Sequence, residues 1–254
     1  MILEDLKDKK VLVTGSSSGI GAATAIMFAQ QGSFVGVHYF RTQAGGEKTL
    51  AEVLKHSRGC LLKADMREED QVKQLIDDFV SAAGGIDILI NNAGTLLDRR
   101  DIEGMDVEFF DDLFATNVRS TFLATKHALE YLKTSAGSIV NIGSVAAHTG
   151  GGGGSGVYAA AKAAVHTLTI AMTKEFAKYN IRVNTVSPGL IETRFHDLFS
   201  TPERRKSIAE STPLKRNGTA EDIAKAILFL ASRQTSEFVN GEYLAVNGGQ
   251  HLRT

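Results

Sequence analysis

Tyr158 and Lys162 lie four residues apart in a stretch with neither proline nor internal glycine. On a helix that spacing puts both side chains on one face. A free phenol titrates near ~10, and a neighbouring ammonium favours the phenolate and lowers that value. A group poised nearer ambient pH is the better general acid–base. Hydride transfer to a carbonyl makes an alkoxide, which needs such a proton. Ser144, at the end of a candidate strand, can hydrogen-bond the carbonyl oxygen and stabilise its developing charge. Taken singly these features are ordinary: Tyr/Lys pairs occur on solvated helix faces, and a lone Ser or Asn is more often a cap or a turn.

A second constellation binds rather than reacts. The run KKVLV leads into Thr14-Gly15-Ser16-Ser17-Ser18-Gly19-Ile20-Gly21 and then a helical stretch. Gly15 permits a tight turn off a strand. Gly19 lets backbone N–H groups approach a pyrophosphate at the positive end of a helix, and Gly21 lets that helix pack closely. The first gap is three residues, unlike that of G-x-G-x-x-G.

Both constellations need a scaffold. Apolar runs predict strands at Lys10–Thr14, Phe34–Tyr39, Gly59–Ala64, Ile86–Asn91, Gly137–Ile142, Ile181–Val186 and Tyr243–Val246. Amphipathic stretches near 20–31, 43–56, 68–83, 106–133, 157–178 and 219–231 predict helices between them. The strands are apolar on both faces, as in parallel sheets covered by helices on both sides. The expectation is α/β: a single-domain, Rossmann-like doubly wound fold of about seven mainly parallel strands, spanning 1–254 without a linker. All three prolines fall after residue 187, so long elements can run unbroken before it. Six glycines fall in 150–156; bounded by Ser144 and Tyr158, this run reads as an active-site loop.

Composition narrows the function. The 28 Lys and Arg nearly balance the 29 Asp and Glu, which argues against a broad nucleic-acid or anionic-membrane surface. A single cysteine, Cys60, rules out an intrachain disulfide and a multi-cysteine metal site. The seven histidines are scattered and no metal is expected. No run approaches the ~18–20 apolar residues of a membrane helix, and MILEDLKDKK lacks an apolar leader, so the expected compartment is the cytoplasm.

TGSSSGIG resembles the TGxxxGIG fingerprint of classical short-chain dehydrogenases/reductases, and that family's other motifs follow in order. Asp65, with Met66, follows the third strand, where the family contacts adenine. Asn91-Asn92-Ala93-Gly94 closes the fourth strand. The resemblance implies that Gly15, Ser17, Ser18, Gly19, Ile20, Gly21, Asn92, Ala93, Gly94, Pro188, Gly189, Ile191 and Thr193 bind the dinucleotide. It makes Tyr158 the general acid–base, gives Lys162 ribose contacts as well, sets Ser144 on the carbonyl, and has Asn117 hold a relay water. Ser144 and Tyr158 are 14 apart, one more than the family's usual spacing, and the excess is expected in the glycine run.

The family's NAD-selecting acid falls at Tyr39, and no acid occurs from Phe34 to Gly46. Arg41, two residues on, suits a 2′-phosphate, so NADP(H) is favoured. NAD(H) stays open because the glycine turn carries no Lys or Arg. A substrate loop is expected at about 191–212, with Phe195 and Phe199 joining Ser144 and Tyr158 at the substrate. SPGLIET, YAAAKAA and VNGG look like the 3-oxoacyl-[acyl-carrier-protein] reductase branch, which implies an acyl-thioester substrate and an acyl carrier protein partner. Against that, the branch's basic docking positions fall on Ser135 and Tyr179, with Lys133 and Lys178 close by. The alternatives are a reductase or dehydrogenase of a small sugar, polyol or other alcohol, and, more remotely, a non-catalytic dinucleotide-binding regulator. The family implies a homotetramer.

Overall fold

A computed structural model describes residues 2–252. Seven parallel strands form one sheet in the order β3-β2-β1-β4-β5-β6-β7. They are β1 (Lys10–Val13), β2 (Phe34–Tyr39), β3 (Gly59–Lys63), β4 (Ile88–Asn91), β5 (Ser138–Ile142), β6 (Arg182–Pro188) and β7 (Tyr243–Val246). The longer helices are α1 (Gly19–Gln30), α2 (Gln43–Leu54), α3 (Glu69–Ala83), α4 (Val107–Phe114), α5 (Ser120–Ser135), α7 (Gly156–Phe176), α9 (Pro202–Ser211) and α10 (Ala220–Ala231). Short ones are α6 (Ala146–Thr149), α8 (Arg194–Phe199) and α11 (Arg233–Ser236).

Alternation within the strands builds two cores. Val11, Val13, Ile88, Ile90 and Val140 point to the layer of α1 and α10, where Phe28, Ile223 and Ile227 close the core. Leu12, Leu89, Ile139 and Val183 point the other way, against Ile76 and Phe79 of α3, Leu132 of α5 and Phe176 of α7. Gly36 has room for no side chain: a Cβ there would stand 2.6 Å from the Phe79 ring, which lies on the sheet at that point. The chain turns outward in opposite directions from β1 and β4, and such a switch opens a crevice at the strands' carboxyl ends.

A buried polar ladder fixes α7 to the sheet. Asn91 donates to Asn141 Oδ1 (2.8 Å), Asn141 donates to Thr169 Oγ1 (2.8 Å), and Thr169 shares a hydrogen bond with Thr185 (2.8 Å). Thr169 lies two turns beyond Lys162 on the same helix, so the ladder sets the rotation of the face carrying Lys162.

Two expectations need correction. The single helix expected near 106–133 is broken: α4 runs into a π-helical turn, Ala115–Arg119, before α5 begins. Asn117 sits in that turn and donates to the Thr95 and Leu113 carbonyls, contacts that stabilise the bulge. The segment expected as a loop at 191–212 instead carries α8 and α9.

Candidate active site

The glycine turn is built around His38, a residue that the motif reading passed over. The Gly15 N–H donates to His38 Nδ1 at 2.7 Å, so Nε2 carries the proton and faces the Ala64 carbonyl at 3.1 Å. Ser16 Oγ donates to the Val13 carbonyl and accepts the His38 N–H. Burial pulls the His38 imidazole down to about 4, so it is neutral at pH 7. The only sequence signal was a polar residue in an otherwise apolar strand.

The end of β4 locks the turn from the other side. Thr14 Oγ1 accepts the N–H groups of Asn92 and Ala93, both at 3.0 Å, and Asn92 Nδ2 donates to the Thr14 and Gly15 carbonyls. Gly15 has φ +65°, and a Cβ on it would lie 2.9 Å from Ala93 Cα. A Cβ on Gly21 would lie 2.5 Å from both Asn92 Nδ2 and the Gly15 carbonyl. Ser18 makes no side-chain cap at the start of α1, which leaves the first helical N–H groups available to a ligand. These glycine-only approaches beneath an uncapped helix start fit a dinucleotide pyrophosphate.

Across the crevice, Tyr158 is the third residue of α7, and it lines the cleft together with Ser144. Residues 150–154 lie before the helix, which begins at Gly156, and Gly150, Gly151, Gly153 and Gly154 are all at positive φ. Lys162 is buried, and its Nζ donates to the Ile142 carbonyl at 2.9 Å. Ser144 is anchored through its own carbonyl, which accepts the Tyr243 hydroxyl at 2.9 Å. Asn117 spends both amide hydrogens on carbonyls, and its buried Oδ1 has no hydrogen-bond partner among the described residues. A Cβ on Gly94 would lie 2.6 Å from that Oδ1 and 3.2 Å from Lys162 Nζ, so both groups approach one point.

One chemical expectation is reversed. Burial raises the Tyr158 phenol to about 12, although the nearby Ser144 side chain works against it. Lys162 does not offset this, because its ammonium lies 5.8 Å from the ring centre and points to Ile142. Burial brings Lys162 itself down to about 8.

A cleft of about 350 Å³ unites most of the expected residues. Gly15, Ser18, Gly19, Ile20, Gly21, Asn92, Ala93, Gly94, Ser144, Tyr158, Lys162, Pro188, Gly189, Ile191, Thr193 and Phe195 line it. Ser17, Tyr39, Arg41, Asp65, Met66, Asn117 and Phe199 do not. Phe199 backs Phe195 edge-on, with ring centres 5.0 Å apart, and Phe195 stands 6.0 Å from the Tyr158 ring. Asp65 holds Arg67 through both carboxylate oxygens, which keeps the carboxyl below its usual range. Arg41 lies over the Phe40 ring at 5.2 Å. Motif reading also missed Arg99 and Arg204, which reach the cleft from distant segments.

Residues 15–251 match the family described as Enoyl-(Acyl carrier protein) reductase. The chain is 38% identical to 3-oxoacyl-[acyl-carrier-protein] reductase FabG of Thermotoga maritima, over 96% of this chain and 98% of that protein. The chain belongs to the short-chain dehydrogenase/reductase family. It is also 34% identical to the uncharacterized oxidoreductase YgfF of Escherichia coli, over 94% of this chain and 98% of that one. Among solved structures it is similar to the NADH-dependent reductase A1-R′ responsible for alginate metabolism, with 38% identity, a TM-score of 0.91, and coverage of 98% of this chain and all of that one. That reductase has also been solved with NAD, at 37% identity and a TM-score of 0.89 over 99% and 100% of the two chains. The short-chain dehydrogenase/reductase assignment makes this an oxidoreductase acting on CH–OH groups with a nicotinamide dinucleotide. Among the described residues no helix is long and apolar enough to cross a membrane.

Proposed function

We propose that this chain reduces a carbonyl group in a small molecule, with NADP(H) preferred and Tyr158 as the proton donor. The observation that carries the reading is a single cleft lined by Tyr158, Ser144 and a buried Lys162. The dinucleotide, held by the glycine turn and Asn92–Gly94, supplies the hydride. Tyr158, protonated across the neutral range, delivers its proton to the carbonyl oxygen, and Ser144 hydrogen-bonds that oxygen as charge develops. Lys162 binds the ribose hydroxyls. The unpartnered Oδ1 of Asn117 accepts from a water that returns the proton toward Tyr158 through Lys162. Phe195, backed by Phe199, covers the reacting centre and excludes water.

For the dinucleotide, the absence of an acid from Phe34 to Gly46 and the presence of Arg41 support NADP(H). The NAD complex of the similar reductase keeps NAD(H) in the reading. A second substrate reading, a 3-oxoacyl thioester on a carrier protein, draws on the FabG relatives and on a cationic spot. Lys133 and Lys178 both lie against Tyr179, at 4.5 and 5.0 Å from its ring centre. Lys133, however, already pairs with Glu130. Family membership, with Phe110, Phe122 and Ile170 exposed on α4, α5 and α7, supports a cytoplasmic homotetramer joined through these helices.

The test follows NADPH oxidation with acetoacetyl-carrier protein, the same acyl group on a small thioester, and free small ketones. Turnover of the free ketones without preference for the carrier is expected. A strong preference for the carrier moves the assignment to the second reading.

A further inference from the structure

The substrate side of the cleft carries charge that the proton-transfer machinery does not use. Among the described residues the lining contains four cationic side chains, Arg99, Lys162, Arg194 and Arg204, and no Asp or Glu. Arg99 follows the fourth strand's Asn-Asn-Ala-Gly segment. Its Nε donates to the Phe199 carbonyl at 2.7 Å, and its Nη1 donates to the Gly152 and Gly153 carbonyls at 2.8 and 2.7 Å. Those bonds fix the guanidinium between the glycine loop and α8, yet none supplies a counter-charge. Its Nη2 donates to nothing among the described residues.

Arg204 approaches the same place from α9. A Cβ built on Gly153 would lie 3.0 Å from Arg204 Nη1 and 3.9 Å from Arg99 Nη1, so the two guanidinium groups flank one glycine. Arg204 forms no side-chain hydrogen bond or ion pair among the described residues. As the third residue of α9 it adds positive charge near the positive end of that helix, an unfavourable placement without an anion. Glu203, beside Arg204 in the first turn of α9, is exposed and forms no ion pair with it, and four other acids of this region are committed elsewhere. Asp98 and Asp106 pair with Arg100, while Glu192 and Asp197 pair with Arg205. Burial, and after it the like charge of Arg204, holds Arg99 below its usual value.

Two guanidinium groups without ion pairs, Arg99 half-buried and Arg204 exposed at the mouth, stand at one wall of a cleft without acids and so present a positive wall to an anion. We propose that Arg99 and Arg204 form a carboxylate clamp, so that the substrate is a carbonyl compound bearing a carboxylate. This deepens the carbonyl-reductase reading and rests on it. The planar fork of Arg99, pre-set by three backbone carbonyls, suits the two oxygens of a carboxylate. The glycine loop then has a purpose. Its carbonyls at Gly152 and Gly153 aim Arg99, and Gly154 lies where a Cβ would come within 2.8 Å of the Arg100 nitrogen, so a bulkier loop would push the clamp away.

The test uses the intact chain with NADPH and with NADH. Nucleotide oxidation is measured with pyruvate, acetoacetate, 4-oxopentanoate and 5-oxohexanoate, each beside its methyl ester. Binding of the four acids is followed in parallel by saturation-transfer NMR. At least one acid is expected to exceed its ester in kcat/KM by about 10-fold or more, as a charge-assisted pair would give. Arg204→Gln removes a side chain with no internal bonds, and Arg99→Lys keeps the charge while losing the fork. Each is expected to lower the acid-to-ester ratio about 10-fold, through KM. An acid-to-ester ratio at or below one for every pair overturns the clamp, as do variants that depress acid and ester together. Ester turnover without acid preference overturns the clamp and leaves the carbonyl-reductase reading standing. Acid binding that Arg204→Gln abolishes, with no turnover of any carbonyl, upholds the clamp and overturns that reading. Absence of both turnover and acid binding overturns both.

Discussion

The Gly15 N–H donates to His38 Nδ1 at 2.7 Å, which ties the dinucleotide turn to the protonation state of a buried imidazole. Protonated at Nδ1, His38 would lose that acceptor and set a cation in the core. Its folded pKa of about 4 lies below the ordinary 6.5. Between these values the unfolded chain binds the proton and the folded chain does not, so stability is full above pH 6.5 and falls as pH drops toward 4. For this one side chain the loss is roughly 3 kcal/mol. His196, also near 4, adds a change of the same sign. Urea denaturation at pH 7 and pH 4.5 checks this. His38→Asn, whose amide oxygen can replace Nδ1, is expected to show a smaller drop between the two pH values than the unaltered chain.

Tyr158→Phe removes the phenol proton and keeps the ring against Phe195. Reduction is expected to fall by about 10²–10⁴-fold, the usual worth of a positioned general acid. Dinucleotide binding, measured by NADPH fluorescence, is expected to persist because the glycine turn makes no bond to Tyr158. Near-normal turnover in this variant would sink the assignment.

Lys162 is an ammonium held in the core, at about 8 instead of 10.5. At pH 7 both folded and unfolded chains carry the charge, so the folded protein bears a burial cost of roughly 3 kcal/mol. Between pH 8 and 10.5 only the unfolded chain holds the proton, so stability rises with pH there. Lys162→Met removes the charge, although it leaves the Ile142 carbonyl without its donor. The expected result is lost turnover with a higher melting temperature, at about 2–4 °C per kcal/mol recovered. An unchanged or lower melting temperature would mean that the hydrogen bond to Ile142 outweighs the buried charge.

The sheet was readable from the sequence because strands such as Val11–Val13 and Ile88–Ile90 are apolar on both faces, a pattern that only a two-sided sheet accommodates. The Tyr158–Lys162 pair was readable because both residues are local to one helix. The break at 115–119 was not, since it depends on Asn117 meeting Thr95, a contact that leaves no periodic trace. Helix α9 did carry a signal, Thr201 as cap followed by Pro202 at the first helical position. The reading of 191–212 as a loop passed over it. Arg99 was illegible for a different reason. Its partners, Gly152 and Phe199, lie 53 and 100 residues away in sequence.

The preference between the two dinucleotides rests on a short stretch after β2. Tyr39 occupies the position where an acid would hold ribose hydroxyls, and it is buried beside Gly46, so its ring packs under α2. The next two residues, Phe40 and Arg41, are exposed, and the Arg41 guanidinium rests on the Phe40 ring without forming an ion pair among the described residues. Asp65 lies close enough to act on this charge, but its own oxygens are held by Arg67. Arg41 is therefore free to meet a 2′-phosphate, and one charge-assisted contact is worth about 1.5–3 kcal/mol. Arg41→Ala is expected to raise the KM for NADPH about 10-fold or more and to change that for NADH little. Steady-state kinetics with both nucleotides on one carbonyl substrate measure the two effects side by side. Equal losses, or none, would remove Arg41 from the 2′-phosphate site and leave the NADP(H) preference without its contact.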